Sequence, residues 1–417
     1  RHTMVKAKDY AVRAVHCDHR ATDDEVYEAL VYATAPLTRA WDKLVGAKRI
    51  AIKFNQDWPI DTVVMHAGQR QQLVSDSVAR ATLRLLREKT HADLVCVDAS
   101  YHVMYDVRPS IEQTTTLAHV LEEYDVPLID GTQPPYRVVE VPGGGRMFER
   151  YTMMEALIDA DAVVSVAKMK NHAYMGTTAC LKNLFGLMPG APHGRPRHYY
   201  HHLVRMPYML ADIGRIIDPA LNIVDALVGQ AGQEWGDGVG AARVVDGLVA
   251  GDQVVATDAC VAHLMGHDPT ADWGVEPFHR DRNALLVAAE GGFGTVSLEE
   301  IDFASELAPQ PVGTFYAVNR DSRDTVVTWR RTMAEQGLTY RDNWRSLLDY
   351  AGEYILLQDG EVRWHAADGI MRESRRTLAG KNRNHAMFFK YVDPEETEGE
   401  HFEVYEAALK DMRSADH

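Results

Sequence analysis

The segment VSVAKMKNHAYMGTTACLKNLFGLMPG, residues 164–190, decides the fold class that we predict for this chain. It overlaps an apolar run at residues 162–167, whose β-branched side chains are typical of a buried strand. Lys168, Lys170 and His172 then point to one side of extended backbone, because side chains alternate along a strand. The segment therefore predicts a buried strand that ends in three basic groups.

The chain on both sides of this segment alternates apolar runs with amphipathic stretches. Short apolar runs predict strands, and apolar spacing near 3.6 predicts helices between them. The predicted strands are residues 48–55, 93–99, 136–141, 162–167, 220–227 and 284–289, and the predicted helices are residues 71–89, 111–123, 153–160 and the stretch between 252 and 265. Strands that are apolar throughout are covered on both faces, so we predict an α/β fold with a mostly parallel sheet and helices on both faces.

A change of character near residue 306 predicts an appended C-terminal part. Residues 324–336 and 340–350 have helical patterns, and residues 354–365 predict a hairpin that turns at Asp359-Gly360. We predict three parts, which are an N-terminal extension at 1–44, an α/β core with the site at 45–305, and a C-terminal α+β extension with an acidic tail at 306–417.

Composition argues against several classes of function. The formal net charge of −16 disfavours nucleic acid as a partner, because phosphate binding needs a basic surface. Cys17, Cys96, Cys180 and Cys260 lie far apart with no Cys-x-x-Cys pair, so we expect neither an iron–sulfur cluster nor a disulfide framework. No apolar run approaches the ~20 residues of a membrane span, and the N-terminus shows no signal core. We therefore expect a cytoplasmic protein without a membrane partner.

Polar side chains follow several predicted strands at the point where each strand ends. Asn55 and Asp57 follow one strand, Asp98 and His102 end the next, and Asp225 ends a later one. In folds of this class, ligands bind at the carboxyl ends of the strands. We therefore predict that Asn55, His102 and Asp225 bind substrate.

The chain is acidic overall, so the group of lysines at residues 168–182 predicts a local binding site for an anion. Lys182 and Asn183 fall on a predicted short helix, with Thr177 near its N-terminus. Cations beside a helix N-terminus bind carboxylate or phosphate, so we add Lys168, Asn183 and Thr177 to the substrate-binding residues. The alternative is that Lys168 and Lys170 are solvated surface charges, which the apolar residues on both sides of the segment disfavour.

A run of histidines, PHGRPRHYYHH at residues 192–202, predicts a metal site. If residues 198–202 are helical, His198, His201 and His202 share a face as metal ligands do. The alternative is a polar loop with stacked aromatic rings. A divalent metal is therefore one option for a cofactor whose identity the sequence leaves open.

A glycine-rich stretch, DALVGQAGQEWGDGVG, occupies residues 225–240. Its glycines never form the G-x-G-x-x-G pattern of a dinucleotide-binding turn between strand and helix. The stretch instead resembles a flexible loop, and a substrate-facing loop that presents Asp225 or Glu234 is one option.

These motifs resemble the family named domain of unknown function 362. The resemblance covers roughly residues 45–300, with support from residues 52–55 and 222–225 and from Asp252 and Asp258. It rests on K-x-K-x-H followed by T-x-x-x-x-K-N-x-F-G, here Lys168, Lys170, His172, Thr177, Lys182, Asn183, Phe185 and Gly186. Many relatives carry twin-arginine signals or ferredoxin segments, and this sequence shows neither. The resemblance implies a site on these residues without implying a reaction.

A more remote similarity is to the nickel-pincer lactate racemases. That family places a histidine, a lysine that bears the cofactor, a Pro-Gly pair and a metal-ligand histidine in this order. His172, Lys182, Pro189-Gly190 and His198 follow the same order, with Lys182 ten residues after His172 and sixteen before His198. The residues around Lys182 differ from the racemase pattern, so this similarity implies a shared site with altered chemistry.

The predicted function is an enzyme that acts on a small carboxylate or phosphate by lysine and histidine acid–base chemistry. Its class would be isomerase, racemase or lyase, with assistance by a metal as an option. The predicted catalytic residues are His172, Lys182 and Lys170. Two alternatives stay open, which are a non-catalytic protein that binds an anionic metabolite or metal, and a redox enzyme. A homo-oligomer is compatible with the sequence.

Overall fold

The computed structural model describes residues 7–58, 60–99, 111–191, 193–234, 240–379 and 386–414. Strands and helices alternate along the core, and a small sheet follows near the C-terminus. The strands are β1 (Tyr10–His16), β2 (Arg49–Phe54), β3 (Met65–His66), β4 (Gln69–Arg70), β5 (Asp93–Asp98), β6 (Leu128–Asp130), β7 (Tyr136–Glu140), β8 (Arg150–Met154), β9 (Ala162–His172), β10 (Gly176–Thr178), β11 (Leu221–Gln230), β12 (Ala242–Gly251), β13 (Ile301–Ser305), β14 (Tyr354–Gln358), β15 (Glu361–Ala366) and β16 (Phe388–Tyr391).

Helices of very different length connect these strands. In the described part of the chain, none of them is both long and apolar enough to cross a membrane. The α-helices are α1 (Asp23–Thr34), α2 (Thr38–Val45), α3 (Asp76–Lys89), α4 (Ile111–Thr114), α5 (Ala118–Glu123), α6 (Glu155–Ile158), α7 (Cys180–Asn183), α8 (Arg197–Tyr200), α9 (Arg205–Ile217), α10 (Val254–Leu264), α11 (Ala284–Glu290), α12 (Arg323–Asn343), α13 (Arg375–Ala379) and α14 (Glu403–Ser414), and 3-10 turns occupy Ile60–Thr62, Leu184–Leu187, Leu298–Glu300 and Trp344–Tyr350.

The main sheet has the strand order β13-β1-β12-β11-β9-β2-β5-β6, and β10 pairs with β9 beside this path. From β11 to β6 neighbouring strands run parallel, whereas β12 is antiparallel to both of its neighbours. The predicted mostly parallel sheet is therefore confirmed. Its parallel half brings the carboxyl ends of β2, β5 and β9 to one edge.

Strand β5 shows how the sheet is buried on both faces. Val95 and Val97 belong to one buried cluster, and Leu94 and Cys96 belong to the other. Successive side chains of a strand point to opposite faces, so a strand covered on both faces is apolar throughout. Helices α1, α2 and α3 cover one face, and α9, α10 and α11 cover the other.

The C-terminal part forms a three-stranded sheet with the order β15-β14-β16, against which α12 packs together with α14. The predicted hairpin and its turn at Asp359-Gly360 are present as β14 and β15. Buried residues of this part, such as Leu356 and Phe388, belong to the same cluster as Met209 of the core. The α/β core with a C-terminal α+β extension is thus confirmed. The exact division into three parts stays a prediction, and β1, from the predicted N-terminal extension, lies inside the main sheet.

Two predicted strands differ from the observed elements. Residues 284–289 form helix α11 instead of a strand, and the side chain of Asn283 accepts a hydrogen bond from Leu285 N at its start. A short apolar run is compatible with a buried helix as well as with a buried strand. Here the hydrogen bond of the Asn283 side chain at the first turn favours the helix. Strand β7 exists where predicted, but it pairs with β8 in a separate hairpin outside the main sheet.

Candidate functional site

Strand β9 brings the central segment to the carboxyl edge of the sheet. It pairs with β2 as far as Val166 and continues to His172 before the chain turns back as β10. The turn ends at Gly176, whose φ is +80° and where an added Cβ would lie 2.6 Å from the Pro277 carbonyl oxygen. Only glycine fits this return without strain. Because the return is tight, the end of β9 and the following helix α7 lie side by side and form one wall of a cavity at this edge of the sheet.

Lys168 and Asp225 form a buried ion pair beneath this wall. They are register partners on the neighbouring strands β9 and β11, and Lys168 Nζ lies 3.1 Å from Asp225 Oδ2. Neither side chain is exposed, and Ser75 N also donates to Asp225 Oδ2 at 2.8 Å. Burial lowers the pKa of Lys168, and Asp225 opposes that effect. These two predicted substrate-binding residues therefore hold strands together and do not line a cavity.

A cavity of about 370 Å³ lies over the end of β9, at the edge where β2 and β5 also end. Basic side chains from several elements meet in it and outnumber the acidic ones among the described lining residues. Its polar and charged lining consists of Lys53, Asn55, Asp57, Asp98, Lys170, His172, Lys182, Asn183, Arg197, His201, Gln233, Glu234 and Arg280. The lining includes six of the residues predicted from sequence for catalysis or substrate binding or as metal ligands.

Lys170 is held at the floor of the cavity by acceptors on other segments. Its Nζ donates to Gln72 O at 2.9 Å and lies 3.6 Å from Glu234 Oε2. Burial lowers the pKa of this lysine, and the nearby Glu234 carboxylate works against that shift. Glu234 also faces His172, with 3.7 Å between Oε1 and Nε2. Glu234 thus links two of the predicted catalytic residues.

The ring of His172 is fixed in one tautomer by the turn that follows it. Its Nδ1 accepts hydrogen bonds from the backbone N–H groups of Tyr174 and Met175, both at 3.0 Å. Burial, reinforced by the charge of Lys182, lowers its pKa well below the ordinary value, so the ring is neutral. In the neutral ring the proton therefore sits on Nε2. His172 consequently offers an N–H donor beside Glu234, and its basic nitrogen is already occupied.

Lys182 is the lysine of the cavity that forms no ion pair with a described residue, although the more distant Glu234 carboxylate works against the lowering of its pKa. Within the described residues, its ammonium group makes no hydrogen bond or ion pair and lies 4.8 Å from the centre of the Phe185 ring. Burial lowers its pKa to about 7, and the positive charge of Arg197 adds to the effect. Near neutral pH, Lys182 can therefore exist as a free amine that is ready to accept a proton.

Lys53, Asp98 and Asn183 form a second polar cluster in the same cavity. Lys53 Nζ donates to Phe54 O at 2.6 Å and to Asn183 Oδ1 at 3.2 Å, and it lies 3.4 Å from Asp98 Oδ1. Burial raises the pKa of Asp98 to about 7 although Lys53 lowers it. An added Cβ at Gly186 would lie 2.8 Å from Lys53 Cε, so glycine leaves space for this lysine.

Sequence reasoning selected Asn183, which lines the cavity, but did not select Lys53 or Asp98. Asn183 Nδ2 donates to the carbonyl oxygens of Lys53 and Val166, which ties α7 to β2 and β9. Lys53 and Asp98 lie at the carboxyl ends of parallel strands, and this position was the available signal for both. Asn55 lines the cavity as expected, and its buried Oδ1 has no hydrogen-bond partner in the described part of the chain.

The predicted metal ligands separate into two groups. His198 and His201 lie together, with 6.5 Å between ring centres, and His201 is 6.2 Å from His172. His202 is buried elsewhere, where its two ring nitrogens contact the backbone oxygens of Leu203 and Met387. Thr177 lies on β10 outside the cavity, beside a small void next to α10, and His102 lies outside the described residues.

The histidine pair supplies two ligands at most, whereas zinc-type sites use three or four protein ligands. Among the described residues, three close metal-type ligands occur together only at Asp18, His19 and Asp246, away from the cavity. The histidines therefore do not form a complete metal site with their described neighbours, and a divalent metal on His198 and His201 stays a prediction.

Comparisons with known proteins show two that match part of the chain. A thylakoid-associated protein from Synechocystis sp. is 29% identical over 154 residues, which are 34% of this chain and 46% of that protein. The chain thus matches less than half of that relative's length. The lactate racemase apoprotein from Thermoanaerobacterium thermosaccharolyticum is 14% identical at a TM-score of 0.30, over 53% of this chain and 50% of that one. That TM-score is too low to indicate a shared fold or activity.

The profile of one protein family matches a long continuous part of the chain. It is the family described as "Domain of unknown function (DUF362)", and it matches residues 50–263. The matched residues include β2, β5, β9, α7 and α10, so they contain most of the cavity lining. Because the match extends over half of the chain, this protein belongs to the DUF362 family.

Proposed function

We propose that this protein is an enzyme that binds a small carboxylate or phosphate anion and transfers a proton within the cavity over β9. The observation that supports it most is Lys182, a half-buried lysine that forms no ion pair with a described residue, in a cavity rich in cations. A reaction of this kind is an isomerisation, racemisation or elimination.

Binding of the anion would use the donors that surround Lys182. Lys53, Lys170 and Arg197 bring positive charge into a partly enclosed cavity, where charge–charge attraction is stronger than in water. His172 adds a neutral Nε2–H donor. The unpaired Oδ1 of Asn55 would accept a hydrogen bond from a hydroxyl group on the same substrate.

Proton transfer would use groups whose pKa values lie near neutrality, where acid–base catalysis is most efficient. Lys182, with its pKa lowered to about 7, would accept the proton as a free amine. Asp98, with its pKa raised to about 7, would supply a protonated carboxyl group in the same cavity. Both shifts arise mainly from burial. Exclusion of water by a bound substrate would favour the neutral forms of both groups, whereas the negative charge of the substrate would raise both pKa values.

The test is incorporation of solvent deuterium into a panel of 2-hydroxy carboxylates, 2-oxo carboxylates and phosphate esters in D₂O, followed by NMR. We expect the wild-type protein to exchange a carbon-bound proton of at least one compound. The variant Lys182→Met should lose at least about 100-fold in exchange rate, because general base catalysis contributes about 10² to 10⁴.

The matched control is Lys89→Met, which removes an exposed lysine at the end of α3 and should leave exchange unchanged. Exchange by a correctly folded Lys182→Met protein at the wild-type rate would show that this lysine is not the base. If the wild-type protein binds compounds of the panel but exchanges none of them, the proposal fails in favour of a non-catalytic binding protein.

A further inference from the structure

A second cavity, of about 520 Å³, adjoins the proposed site. The two cavities share four lining residues, which are Tyr174, Arg197, His201 and Arg280. The shared residues form a partition between the cavities. Because they share these residues, the two cavities lie next to each other.

The walls of the second cavity differ in chemistry from those of the first. Trp329 and Met333 lie one turn apart on α12, and Ile370 and Met371 follow strand β15. Leu203 adds a further apolar side chain, while Glu373, Ser374 and Arg375 provide polar groups. Much of the wall is therefore aliphatic or aromatic, in contrast to the charged lining around Lys182.

Helix α12 is fixed in place on the side that meets the core. Arg330 forms a buried ion pair with Asp281, whose Oδ2 accepts a hydrogen bond from Val204 N at 2.7 Å. This pair holds the backbone of α12 against the core, and Trp329 and Met333 of the same helix line the cavity.

Arg280 lies between the two cavities, where the charged lining of the first meets the more apolar lining of the second. Its guanidinium group lies 5.8 Å from the ring centre of Tyr174 and 5.6 Å from that of Trp329, and it pairs with Asp321. The pairing with Asp321 offsets the positive charge of Arg280. Aromatic rings beside a guanidinium group favour an aromatic ligand, which can stack on the same surfaces.

We infer that the substrate is an amphipathic anion, in which an apolar, preferably aromatic, group is joined to a carboxylate or phosphate. The anionic end lies beside Lys182, and the apolar group fills the second cavity against Trp329 and Met333. This inference rests on the proposed function, because the anion site orients the molecule. It assigns substrate selection to the C-terminal part of the chain, which supplies α12 and the segment after β15.

Calorimetric titration with acetate and with 3-phenylpropanoate tests the inference without knowledge of the substrate. Wild-type protein should bind 3-phenylpropanoate at least about tenfold more tightly than acetate, because burial of a phenyl group adds a large apolar area. Trp329→Ala should weaken binding of 3-phenylpropanoate by about fivefold or more and leave binding of acetate unchanged. Trp344→Ala, which lies outside both cavities, is the matched control and should change neither affinity.

Equal affinities of the wild-type protein for the two acids, or equal weakening of both by Trp329→Ala, would overturn the inference. Lys182→Met should weaken both ligands together, since it removes one of several cations from the shared anion site. The deuterium experiment reports on the other proposal separately. Preference for 3-phenylpropanoate without exchange would refute proton transfer alone, and exchange without that preference would refute the amphipathic substrate alone.

Discussion

At the scale of single residues, the lysines of the central segment differ sharply in their partners. Lys168 is paired with Asp225 outside the cavity, Lys170 lies near Glu234, and Lys182 forms no ion pair with a described residue. The alternation of side chains along β9 predicted that Lys170 and His172 point to the same side of the strand. The K-x-K-x-H and K-N-x-F-G motif added Lys182 to the predicted site. The sequence could not show that Lys168 forms an ion pair with Asp225, because that pairing depends on the register between β9 and β11.

The unpaired lysine should reduce the stability of the fold near and below neutral pH. Its pKa is about 7 in the folded protein and near 10.5 when unfolded, so folding is penalised fully below pH 7. As pH rises from 7 towards 10.5, the penalty disappears. We expect Lys182→Met to be more stable than wild type by about 2 kcal/mol at pH 6, with the difference shrinking at pH 9.

Urea unfolding at the two pH values measures this difference. Lys89→Met serves again as the control, since this exposed lysine should change stability little at either pH. A Lys182→Met protein that is less stable than wild type at pH 6 would show that the ammonium group has a stabilising partner.

At the scale of elements, β9, β10 and α7 act as one unit because their connections are short. Asp258 on α10 anchors that unit, since its carboxylate accepts from Cys180 N at 3.0 Å and from Leu181 N at 2.8 Å. The sequence predicted a strand and a short helix here from residue pattern alone, but not the return through β10 that joins them. It did not assign this capping role to Asp258, because the contact joins residues 77 and 78 positions apart.

Loss of the Asp258 carboxylate should both destabilise the fold and disturb Lys182. Asp258→Ala leaves two backbone N–H groups without an acceptor, so we expect a loss of about 2 kcal/mol in unfolding free energy. Asp258→Asn keeps one acceptor and should lose less. Urea unfolding measures the loss, and the pH dependence of deuterium exchange shows whether the pKa of Lys182 has moved. Wild-type stability of the alanine variant would contradict the anchoring role.

At the scale of the whole molecule, the two sheets share a continuous core. Arg205 on α9 joins them, since it is buried and donates to Tyr199 O at 2.8 Å and to Phe389 O at 2.9 Å, with Glu400 Oε1 at 3.2 Å. Sequence pattern predicted the α/β class and the C-terminal hairpin correctly. It could not predict this docking, because buried arginines look like surface arginines in a sequence. The cytoplasmic location and a homo-oligomer stay predictions.

Removal of Arg205 should therefore unfold both sheets more easily. Arg205→Met leaves buried carbonyl groups and Glu400 with fewer partners, and we expect a loss of about 3 kcal/mol in unfolding free energy. Because the core is continuous, circular dichroism and tryptophan fluorescence should report one coincident transition in urea. Arg376→Met, at an exposed arginine of α13, should change the transition little. Two separate transitions in the wild-type protein would contradict the shared core.

The locked ring of His172 has a consequence for the selection of ligands by polarity. Its Nδ1 is occupied by two backbone N–H groups, so the neutral ring presents a proton and never a lone pair to the cavity. At this position a ligand oxygen is accepted, whereas an ammonium or amide N–H would meet another donor. The protein would thus distinguish a 2-hydroxy or 2-oxo acid from the corresponding amino acid by hydrogen-bond direction, even though the carboxylate is the same.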